Sequence, residues 1–385
     1  MRVPKLRFKA DDGSDFPDWE EMTLGDVGSV AMCKRVFKEQ TREVGDVPFF
    51  KIGTFGGVPD AYISKSLFDE LKSKYAYPEV GTILLSASGT IGRQVEYQGE
   101  DAYYQDSNIV WLEHDDTVLD SYLKQFYSVV KWQGLEGSTI KRLYNKTILD
   151  TPFYRPSLPE QRKIAGLLSA VDDVISAQEA EVAAWEKRKK GVMQKLFSQE
   201  VRFKADDGSD FPDWEEKTLG DICMYERQRS EGANFVGTEN MLKDFGGVTF
   251  DNSNADGSGT LYHPGDTLMS NIRPYLKKAW LADRKGTCST DVLVFHPTSV
   301  EPGYLYWLIA SDAFVRYVMS AAKGSKMPRG DKKHIMEMPL LLPNKDEQRK
   351  IDDCLSSLND VIIRAKNELA KWQELKKGLL QQMFV

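Results

Sequence analysis

The stretch that decides the fold runs from Ser157 to Phe197 and returns 187 residues later as Asn344 to Phe384. In steps of four and three residues, the first copy has a largely apolar stripe: Ile164, Leu168, Val171, Ile175, Gln178, Val182, Trp185, Lys189, Val192 and Leu196. The second copy matches it position by position: Ile351, Leu355, Leu358, Ile362, Ala365, Leu369, Trp372, Lys376, Leu379 and Met383. Apolar residues at one per 3.5 positions over several heptads are typical of coiled coils. The matched stripes predict two helices that pair within one chain, with their apolar positions as the core.

Both copies begin with the same helix-start signal. Ser157 is followed three residues later by Glu160, and Asn344 by Glu347, which are the spacings of a capping box. About 40 residues at 1.5 Å each predict a rod of about 60 Å. Because each helix follows an equivalent globular segment, a two-fold arrangement predicts an antiparallel pair. A solvated helix lying on a globule is the alternative.

An identical segment precedes each half of the chain. Arg7 to Glu21 is repeated without change as Arg202 to Glu216. Its polar, Gly- and Pro-containing composition predicts a surface turn that leads into a domain. The order is therefore globule, helix, globule, helix, an internal duplication. The predicted boundaries are 1–156 and 199–343 for the globules and 157–198 and 344–385 for the helices.

The two globules differ in sequence but share an outline. Val80 to Ser86 corresponds to Pro264 to Ser270, and Ser107 to Trp111 corresponds to Asp291 to Phe295. These short apolar or β-branched runs, bounded by turn residues, predict strands. The predicted globular helices are Tyr122 to Lys131 and Tyr304 to Met319. The predicted fold class is α+β, with two similar strand-rich globules, each followed by a long helix, and a pseudo-two-fold internal repeat in which the helices form an antiparallel coiled coil.

Length and composition limit the class of protein. A chain of 385 residues with 41% hydrophobic residues is long enough for more than one core. The charged N-terminus lacks the pattern of a secretory signal, and no apolar run is long enough to cross a bilayer, so we expect a cytoplasmic protein. The four cysteines are dispersed without a CxxC pair, which argues against a disulfide framework or a zinc ribbon.

The net charge of −7 does not exclude nucleic acid as a partner. Each copy of the repeated segment, Arg7 to Glu21 and Arg202 to Glu216, has two basic and six acidic side chains. These two copies therefore carry −8 together, and the remainder of the chain carries +1. Net charge gives no positive argument for DNA either.

The sequence offers no convincing catalytic constellation. There is no GxxxxGK[ST] loop, and Gly257-Ser258-Gly259, within a polar turn sequence, predicts a loop rather than a cofactor site. The histidines, His114, His263, His296 and His334, do not have metal-ligand spacing. The acidic residues after Pro17 and Pro212 are explained better by a surface turn than by a nuclease centre. We therefore expect neither a catalytic site nor a metal site.

Polar and basic residues next to glycines and aromatics are the candidates for DNA contacts. Lys and Arg hold phosphates, and Arg, Asn, Gln and Ser contact base edges. For any single residue a solvated surface role is the competing interpretation. The candidates in the first globule are Lys34, Arg35, Lys51, Ser86, Ser88, Arg93, Lys141 and Arg142. Those in the second globule are Arg227, Arg229, Asn240, Ser270, Asn271, Arg273, Tyr275, Lys277, Lys326 and Arg329.

Each long helix also contains one glycine at the same place, Gly191 and Gly378, six residues after the tryptophan. A glycine within a helix costs about 1 kcal/mol relative to alanine. We hypothesise a close approach to the backbone of a partner. Tolerated ancestry in a duplicated unit is the alternative.

Four features together suggest a family. They are the entry Phe16-Pro17-Asp18-Trp19 with Leu24-Gly25, the Gly-rich turn from Ser86 to Gly92, the segment from Gly137 to Arg142, and Leu158-Pro159-Glu160-Gln161-Arg162-Lys163-Ile164 with its echo Glu347-Gln348-Arg349-Lys350-Ile351. With these features the chain resembles the specificity subunit of type I restriction–modification systems over essentially its whole length. The most specific of them is the Glu-Gln run that opens a heptad helix twice.

The resemblance implies two target recognition domains, each reading one half of a bipartite sequence in double-stranded DNA. It implies that the coiled coil sets the spacing and docks two methyltransferase subunits, with restriction/translocase subunits joining the full complex for defence against foreign DNA. The chain would then be non-catalytic, directing adenine methylation and restriction, while S-adenosylmethionine, ATP and Mg belong to its partners. Two other classes stay open: an adaptor that joins two peptide-binding domains, and a nuclease or methyltransferase acting alone.

Overall fold

The computed structural model describes residues 4–132, 142–250 and 257–384. The chain divides into two units, Met1–Glu179 with Asn367–Val385, and Ala180–Lys366. The first unit therefore contains the first globule, the start of the first long helix and the end of the second. The second unit contains the second globule, the end of the first long helix and the start of the second. The segment boundaries predicted from the sequence stay a prediction.

The first unit is built mainly on antiparallel strand pairs, with one parallel pair in its three-stranded sheet. The strands are β1 (Glu20–Thr23), β2 (Gly28–Ala31), β3 (Val47–Phe50), β4 (Tyr62–Ile63), β5 (Ile83–Ser86), β6 (Gln94–Glu96), β7 (Tyr103–Tyr104), β8 (Ile109–His114) and β9 (Pro152–Arg155). The helices are α1 (Lys65–Lys74), α2 (Asp120–Tyr127), α3 (Asn145–Leu149) and the first half of α4 (Leu158–Phe197). A four-stranded sheet has the order β2-β8-β5-β6, a three-stranded sheet the order β4-β3-β7, and β1 pairs with β9.

The central strand β8 shows why this sheet is covered on both faces. Val110 and Leu112 pack in one core cluster, together with Ile164 and Leu168 of α4. Ile109 and Trp111 pack in another cluster against the α1 side of the globule. Since successive side chains of a strand point to opposite faces, an unbroken apolar run needs a layer on each side.

The second unit repeats this plan. Its strands are β10 (Glu215–Thr218), β11 (Cys223–Tyr225), β12 (Arg229–Gly232), β13 (Gly257–Tyr262), β14 (Thr267–Ser270), β15 (Ala279–Leu281), β16 (Gly286–Cys288), β17 (Val292–Pro297) and β18 (Pro339–Leu342). Its helices are α5 (Leu219–Ile222), α6 (Pro302–Ile309), α7 (Asp312–Ser320), α8 (Lys332–Met336) and the first part of α9 (Lys345–Met383). The sheets have the orders β11-β17-β14-β15, β12-β13-β16 and β10-β18.

Two local predictions for this unit are wrong. The single helix expected over Tyr304 to Met319 is divided into α6 and α7, because the Ser311 side chain accepts a 3.0 Å bond from the Phe314 amide and caps a new helix. The loop expected at Gly257-Ser258-Gly259 is the start of β13. A Cβ on Gly259 would lie 1.9 Å from the Cys288 carbonyl oxygen, so the glycine serves close strand approach rather than a turn.

Polar contacts give the direction of the helix pair within each unit. In the first unit Lys376 Nζ lies 2.5 Å from Asp172 Oδ1, and Gln373 donates to Glu179 at 3.4 Å. As the position on α4 increases, the partner position on α9 decreases, so the helices are antiparallel.

The second unit gives the same result with equivalent residues. Lys189 Nζ donates to Asn359 Oδ1 at 2.9 Å, and Lys366 pairs with Glu186 at 2.6 Å. Each of these residues corresponds, at the 187-residue offset, to a contacting residue of the first unit. The predicted α+β class with an antiparallel, internally repeated helix pair is therefore confirmed.

The predicted core stripe lies on the covered side of both helices. Its buried members are Ile164, Leu168, Val171, Val182, Leu196, Ile351, Leu355, Ile362, Ala365 and Met383. Its half-buried members are Ile175, Trp185, Val192, Leu358, Leu369, Trp372 and Leu379. The Arg188 guanidinium lies over the Trp185 ring, 5.2 Å from its centroid.

The predicted capping boxes form only in part. Asn344 Oδ1 accepts from the Glu347 amide at 2.8 Å, as a cap should. Ser157 Oγ is buried and has no hydrogen-bond partner within the described residues. The Glu160 and Glu347 side chains do not return to the helix start but bond to Arg7 and Arg202. The reciprocal half of the box is thus replaced by long-range contacts.

Candidate nucleic-acid interface

In the first unit, the loop that follows β5 is fixed from inside by one buried serine. Ser86 Oγ donates to the Thr90 carbonyl oxygen and accepts from the Arg93 amide at 2.8 Å. Gly89 and Gly92 have φ of 65° and 78°, the left-handed region that glycine adopts without steric cost. The Ser86 hydroxyl is therefore used to shape the loop. A base contact by Ser86 stays a prediction.

A second segment, at Arg142, lies beside this loop. Ser88 and Arg142 form an antiparallel bridge, and Arg142 Nη2 donates to the Ser107 carbonyl oxygen at 2.8 Å. Ser88 Oγ donates to Asn108 Oδ1 at 2.8 Å. The fold thus brings Arg142 to Ser86 and Ser88, which lie more than 50 residues earlier in the sequence, at the end of the central strands.

The remaining candidates of the first globule lie at different distances from this place. Arg93 donates to the Phe55 carbonyl oxygen at 2.8 Å, and Arg35 pairs with Asp106, next to the Ser107 that holds Arg142. Lys51 pairs with Asp60 at 2.8 Å. Lys34 lies over the Tyr75 ring at 4.9 Å. Lys141, and Gly137 to Lys141 of the family-like segment, lie outside the described residues.

In the second unit the equivalent loop follows β14 and carries more charge. Ser270 Oγ donates to the Ile272 carbonyl oxygen at 3.0 Å, and the Asn271 amide donates to the Asp291 carbonyl oxygen at 2.7 Å. Ile272 forms an antiparallel bridge with Arg329, the counterpart of the Ser88–Arg142 bridge. Arg329 Nη2 lies 3.0 Å from Asp291 Oδ1. The same two-segment arrangement therefore occurs in both units.

Arg273 and Lys277 bracket a short 3₁₀ turn, Pro274–Leu276, at the end of this loop. Their φ values are 52° and 54°, in the left-handed region, where the first unit has Gly89 and Gly92. A side chain in this conformation costs roughly 1–2 kcal/mol, and such residues cluster at ligand sites. Tyr275, between them, is 47% exposed. The loop therefore presents an aromatic ring between two cations.

Ion pairs and burial orient the other basic groups of this loop. Lys277 and Lys190 both pair with Asp312 at 2.7 Å. The hydrogen bond from Lys190, followed by that from Lys277, lowers the pKa of the Asp312 carboxyl. Lys278 donates to the Thr238 carbonyl oxygen at 2.7 Å, and its pKa is lowered, chiefly by burial. Lys277 is thus held at a defined place beside the turn.

The other candidates of the second globule are less concentrated. Asn240 is buried and accepts from the Gly237 amide at 2.8 Å, an interior role in its loop. Asn271 is buried as well. Arg227 and Arg229 are exposed at the entry to β12, and Lys326 is exposed in the segment that leads to Arg329. DNA contacts by all of these residues stay predictions.

Sequence reasoning did not single out the acceptors that orient the arginines. Asp291, Asp106 and the Ser107 carbonyl oxygen lie at the start of, or just before, β17 and β8. The correspondence between Ser107 to Trp111 and Asp291 to Phe295 was the signal in the sequence that could have pointed to these acceptors. Asp312 could not be found in this way, because its partners Lys190 and Lys277 lie on distant elements.

The described part of the chain has neither a metal-binding cluster nor a membrane-spanning helix. Across residues 4–132, 142–250 and 257–384, no three His, Cys, Asp or Glu side chains form a group that could hold a metal ion. No helix in the same part of the chain is long and apolar enough to cross a membrane.

Comparison with known proteins points to one family. The family model of the type I restriction modification DNA specificity domain matches residues 17–184 and 212–373. A Haemophilus influenzae protein named as a type I restriction enzyme specificity subunit is 54% identical over 155 residues, 40% of this chain and 40% of that relative. The type I restriction enzyme MjaVIII specificity subunit of Methanocaldococcus jannaschii is 22% identical, covering 98% of this chain and 95% of the relative.

A solved structure shares the fold. The crystal structure of a type I restriction–modification S subunit from M. genitalium aligns with a TM-score of 0.61 at 16% identity, covering 100% of this chain and 99% of that one. The resemblance stated from the sequence is confirmed, as is its classification as a specificity subunit rather than an enzyme. Because the family model matches most of its length in two copies, the chain belongs to the type I restriction–modification DNA specificity family.

Proposed function

We propose that each globule reads one half of a bipartite target in double-stranded DNA and that the helix pair sets the distance between the halves. The observation that carries this proposal is the recurrence of one arrangement with different side chains. A loop after the central strand bridges to an arginine segment, through Ser88–Arg142 in one unit and Ile272–Arg329 in the other. A common frame with different contact residues is what two different half-sites require.

The chemistry of these loops suits a base-reading surface. A guanidinium can donate two parallel hydrogen bonds to guanine O6 and N7, which is the commonest specific base contact. The Arg329 side chain is 52% exposed and is oriented by Asp291, so it is both accessible and held in place. Arg273 and Lys277 extend from a constrained turn. Phosphate contacts by the neighbouring cations would position the loop on the duplex.

The partners follow from the same proposal. Two methyltransferase subunits dock on the helix pair, and the assembly directs adenine methylation and, with restriction/translocase subunits, restriction. S-adenosylmethionine, ATP and Mg are bound by these partners and none by this chain. A Cβ at Gly191 or at Gly378 would meet no atom within 4 Å, so the helix surface is open at both glycines. That opening supports the hypothesis of close approach by a partner.

Exchange of one reading surface tests the proposal. Replacing residues 22–136 with the corresponding globule of another family member should change one half-site of the methylated motif and leave the other half and the gap unchanged. A change in both half-sites would contradict independent reading. Inserting one heptad in α4 and one in α9 should change only the gap.

Single substitutions resolve the same question at individual residues. R329A should weaken binding by about 1–3 kcal/mol at sites that carry the second half-site and should relax the base preference there. K333A is the matched control, because Lys333 is a basic residue on the neighbouring α8 with an 88% exposed side chain. Equal losses for the two variants, measured by fluorescence anisotropy with the assembled complex, would assign Arg329 a merely electrostatic role.

A further inference from the structure

The start of α4 is fastened to the entry segment by a buried carboxylate. Glu160 is fully buried, and its oxygens accept from Arg7 Nε at 3.0 Å and Arg7 Nη2 at 2.8 Å. The same carboxylate accepts from Trp19 Nε1 at 3.0 Å. Arg7 Nη2 also donates to the Pro17 carbonyl oxygen at 2.6 Å, so the guanidinium joins the helix to the entry turn.

The second unit has the same contacts at almost the same distances. Glu347 accepts from Arg202 Nε at 3.1 Å and Nη2 at 2.8 Å, and from Trp214 Nε1 at 2.9 Å. Arg202 Nη2 donates to the Pro212 carbonyl oxygen at 2.6 Å. We call these two sets, Arg7–Trp19–Glu160 and Arg202–Trp214–Glu347, the helix-start clamps.

The next residue of each helix fastens a different part of the globule. Gln161 Oε1 accepts from the Leu119 amide at 2.9 Å, just before α2, and Gln161 Nε2 donates to the Thr117 carbonyl oxygen at 2.9 Å. In the second unit Gln348 Oε1 accepts from the Glu301 amide at 2.9 Å, just before α6. Each helix start is therefore held by hydrogen bonds to two separate segments of its own globule.

Directional bonds of this kind specify geometry. A carboxylate removed from water is costly unless it is paired and hydrogen-bonded, and a bidentate guanidinium–carboxylate pair permits few orientations. Buried ion pairs contribute little net stability compared with apolar residues of similar size, and their best-attested use is to select one register or arrangement. Apolar contacts alone would let the first turn of the helix shift against the globule.

We propose that the helix-start clamps are positioning elements that fix the direction in which each long helix leaves its globule. This inference rests on the proposed function. The clamps determine how accurately the gap between the half-sites is kept, and the number of heptads determines the length of the gap. Both globules then need the same clamp, although their reading loops differ. The identical segments Arg7 to Glu21 and Arg202 to Glu216 supply it.

The test uses the isosteric double variant E160Q/E347Q in the full-length chain. It keeps the shape of both side chains and removes the charge that pairs with Arg7 and Arg202. The matched control is D18N/D213N, because Asp18 and Asp213 lie 4.0 and 3.8 Å from the same guanidinium groups but are exposed. Thermal melting first establishes that the variants are folded.

The structural readout is a distance distribution within the first unit. Spin labels are attached through A170C on α4 and S73C at the end of α1, with C354S removing the half-buried native thiol. Pulsed electron resonance should give one narrow distance for the unsubstituted clamps and for the control, and a broadened or shifted distribution for E160Q/E347Q. Unchanged distributions would overturn the proposal.

The functional readout is the methylated motif produced with the cognate methyltransferase. We expect both half-sites to be kept, while the preference for the original gap over gaps one base pair longer or shorter falls about tenfold, the factor expected for losing one charge-assisted hydrogen bond. An unchanged gap preference in a folded variant would overturn the proposal.

A second variant covers the case in which E160Q/E347Q does not fold. R7K/R202K keeps the charge opposite each glutamate but loses the bidentate geometry, and the same two outcomes apply to it. Failure of the proposed function is recognised separately, because the unsubstituted chain would then give no bipartite motif. The spin-label distances would still decide the role of the clamps.

Discussion

The helix pair contains a polar contact in which the two units differ at one acceptor residue. Lys376 faces the carboxylate of Asp172 at 2.5 Å, whereas the equivalent Lys189 faces the amide oxygen of Asn359 at 2.9 Å. Burial, followed by the nearby Lys366, lowers the pKa of Lys189. N359D therefore supplies the second unit with the ion pair of the first, at a site whose shape accepts it.

The expected gain is small and positive. Two unit charges about 3 Å apart attract by about 5 kcal/mol at an effective dielectric constant of 20. Most of this is offset by desolvation of the new carboxylate and by side-chain ordering. A net stabilisation of about 1 kcal/mol remains, because the cost of burying the Lys189 charge is already present. For a unit of this size it corresponds to an increase in Tm of about 2–4 °C.

The sign of the pH dependence follows from the lowered pKa of Lys189. At a pH between the lowered pKa of Lys189 in the folded chain and its ordinary pKa of 10.5, Lys189 is protonated in the unfolded chain but not in the folded chain. The contribution of Lys189 to the free energy of unfolding therefore rises with pH in this range. N359D raises the pKa of Lys189. The advantage of the variant should therefore be largest near neutral pH and should be lost as the pH rises through the pKa that Lys189 has in the folded variant.

Differential scanning calorimetry of four chains decides the matter: the unsubstituted protein, N359D, D172N and the double variant. D172N should lose at least as much stability as N359D gains, because Asp172 also accepts from Gln125 Nε2 at 3.0 Å. The double variant should recover the part that N359D contributes. A lower Tm for N359D together with no effect of D172N would refute the equivalence of the two contacts.

Three further predictions concern single positions. G191A and G378A should each stabilise their helix by about 1 kcal/mol, because the added Cβ meets no atom within 4 Å; loss of methyltransferase binding in a pull-down would show that a partner occupies the space. R273G should leave Tm unchanged or higher, because it relieves a left-handed residue, while binding to the second half-site weakens about tenfold; equal binding would exclude Arg273 from the interface. S311A should cost about 1 kcal/mol by removing the cap of α7, as urea unfolding would show; no loss would mean that the cap is dispensable.

The helices were predictable because their signal is local and repeated. A heptad stripe that recurs with Trp185 and Trp372 at matching places predicts that the two helices pair, and the equivalent globule before each helix predicts their antiparallel direction. The side-chain contacts at the start of each helix were not predictable in the same way. The spacing of Ser157 and Glu160 suggested a capping box, whereas the structure commits Glu160 to Arg7, which lies 153 residues earlier. Such a contact has no signature in local spacing.

The candidate interface was predictable as a set of residue types but not as a site. Ser88 and Arg142 meet only because strand pairing places the end of β5 beside a segment more than 50 residues away. Burial separated Asn240 from the exposed arginines, and burial depends on tertiary packing. The left-handed backbone at Arg273, where the first unit has Gly89, could not be predicted either, because arginine rarely adopts this conformation.

The most direct test of the central claim is a map of methylated bases in DNA from cells that carry this chain with its cognate methyltransferase, compared with cells that lack the chain. The account predicts one discontinuous motif, modified on both strands, that is lost with the chain. A continuous motif, or no chain-dependent motif while the methyltransferase is present and active, would contradict it.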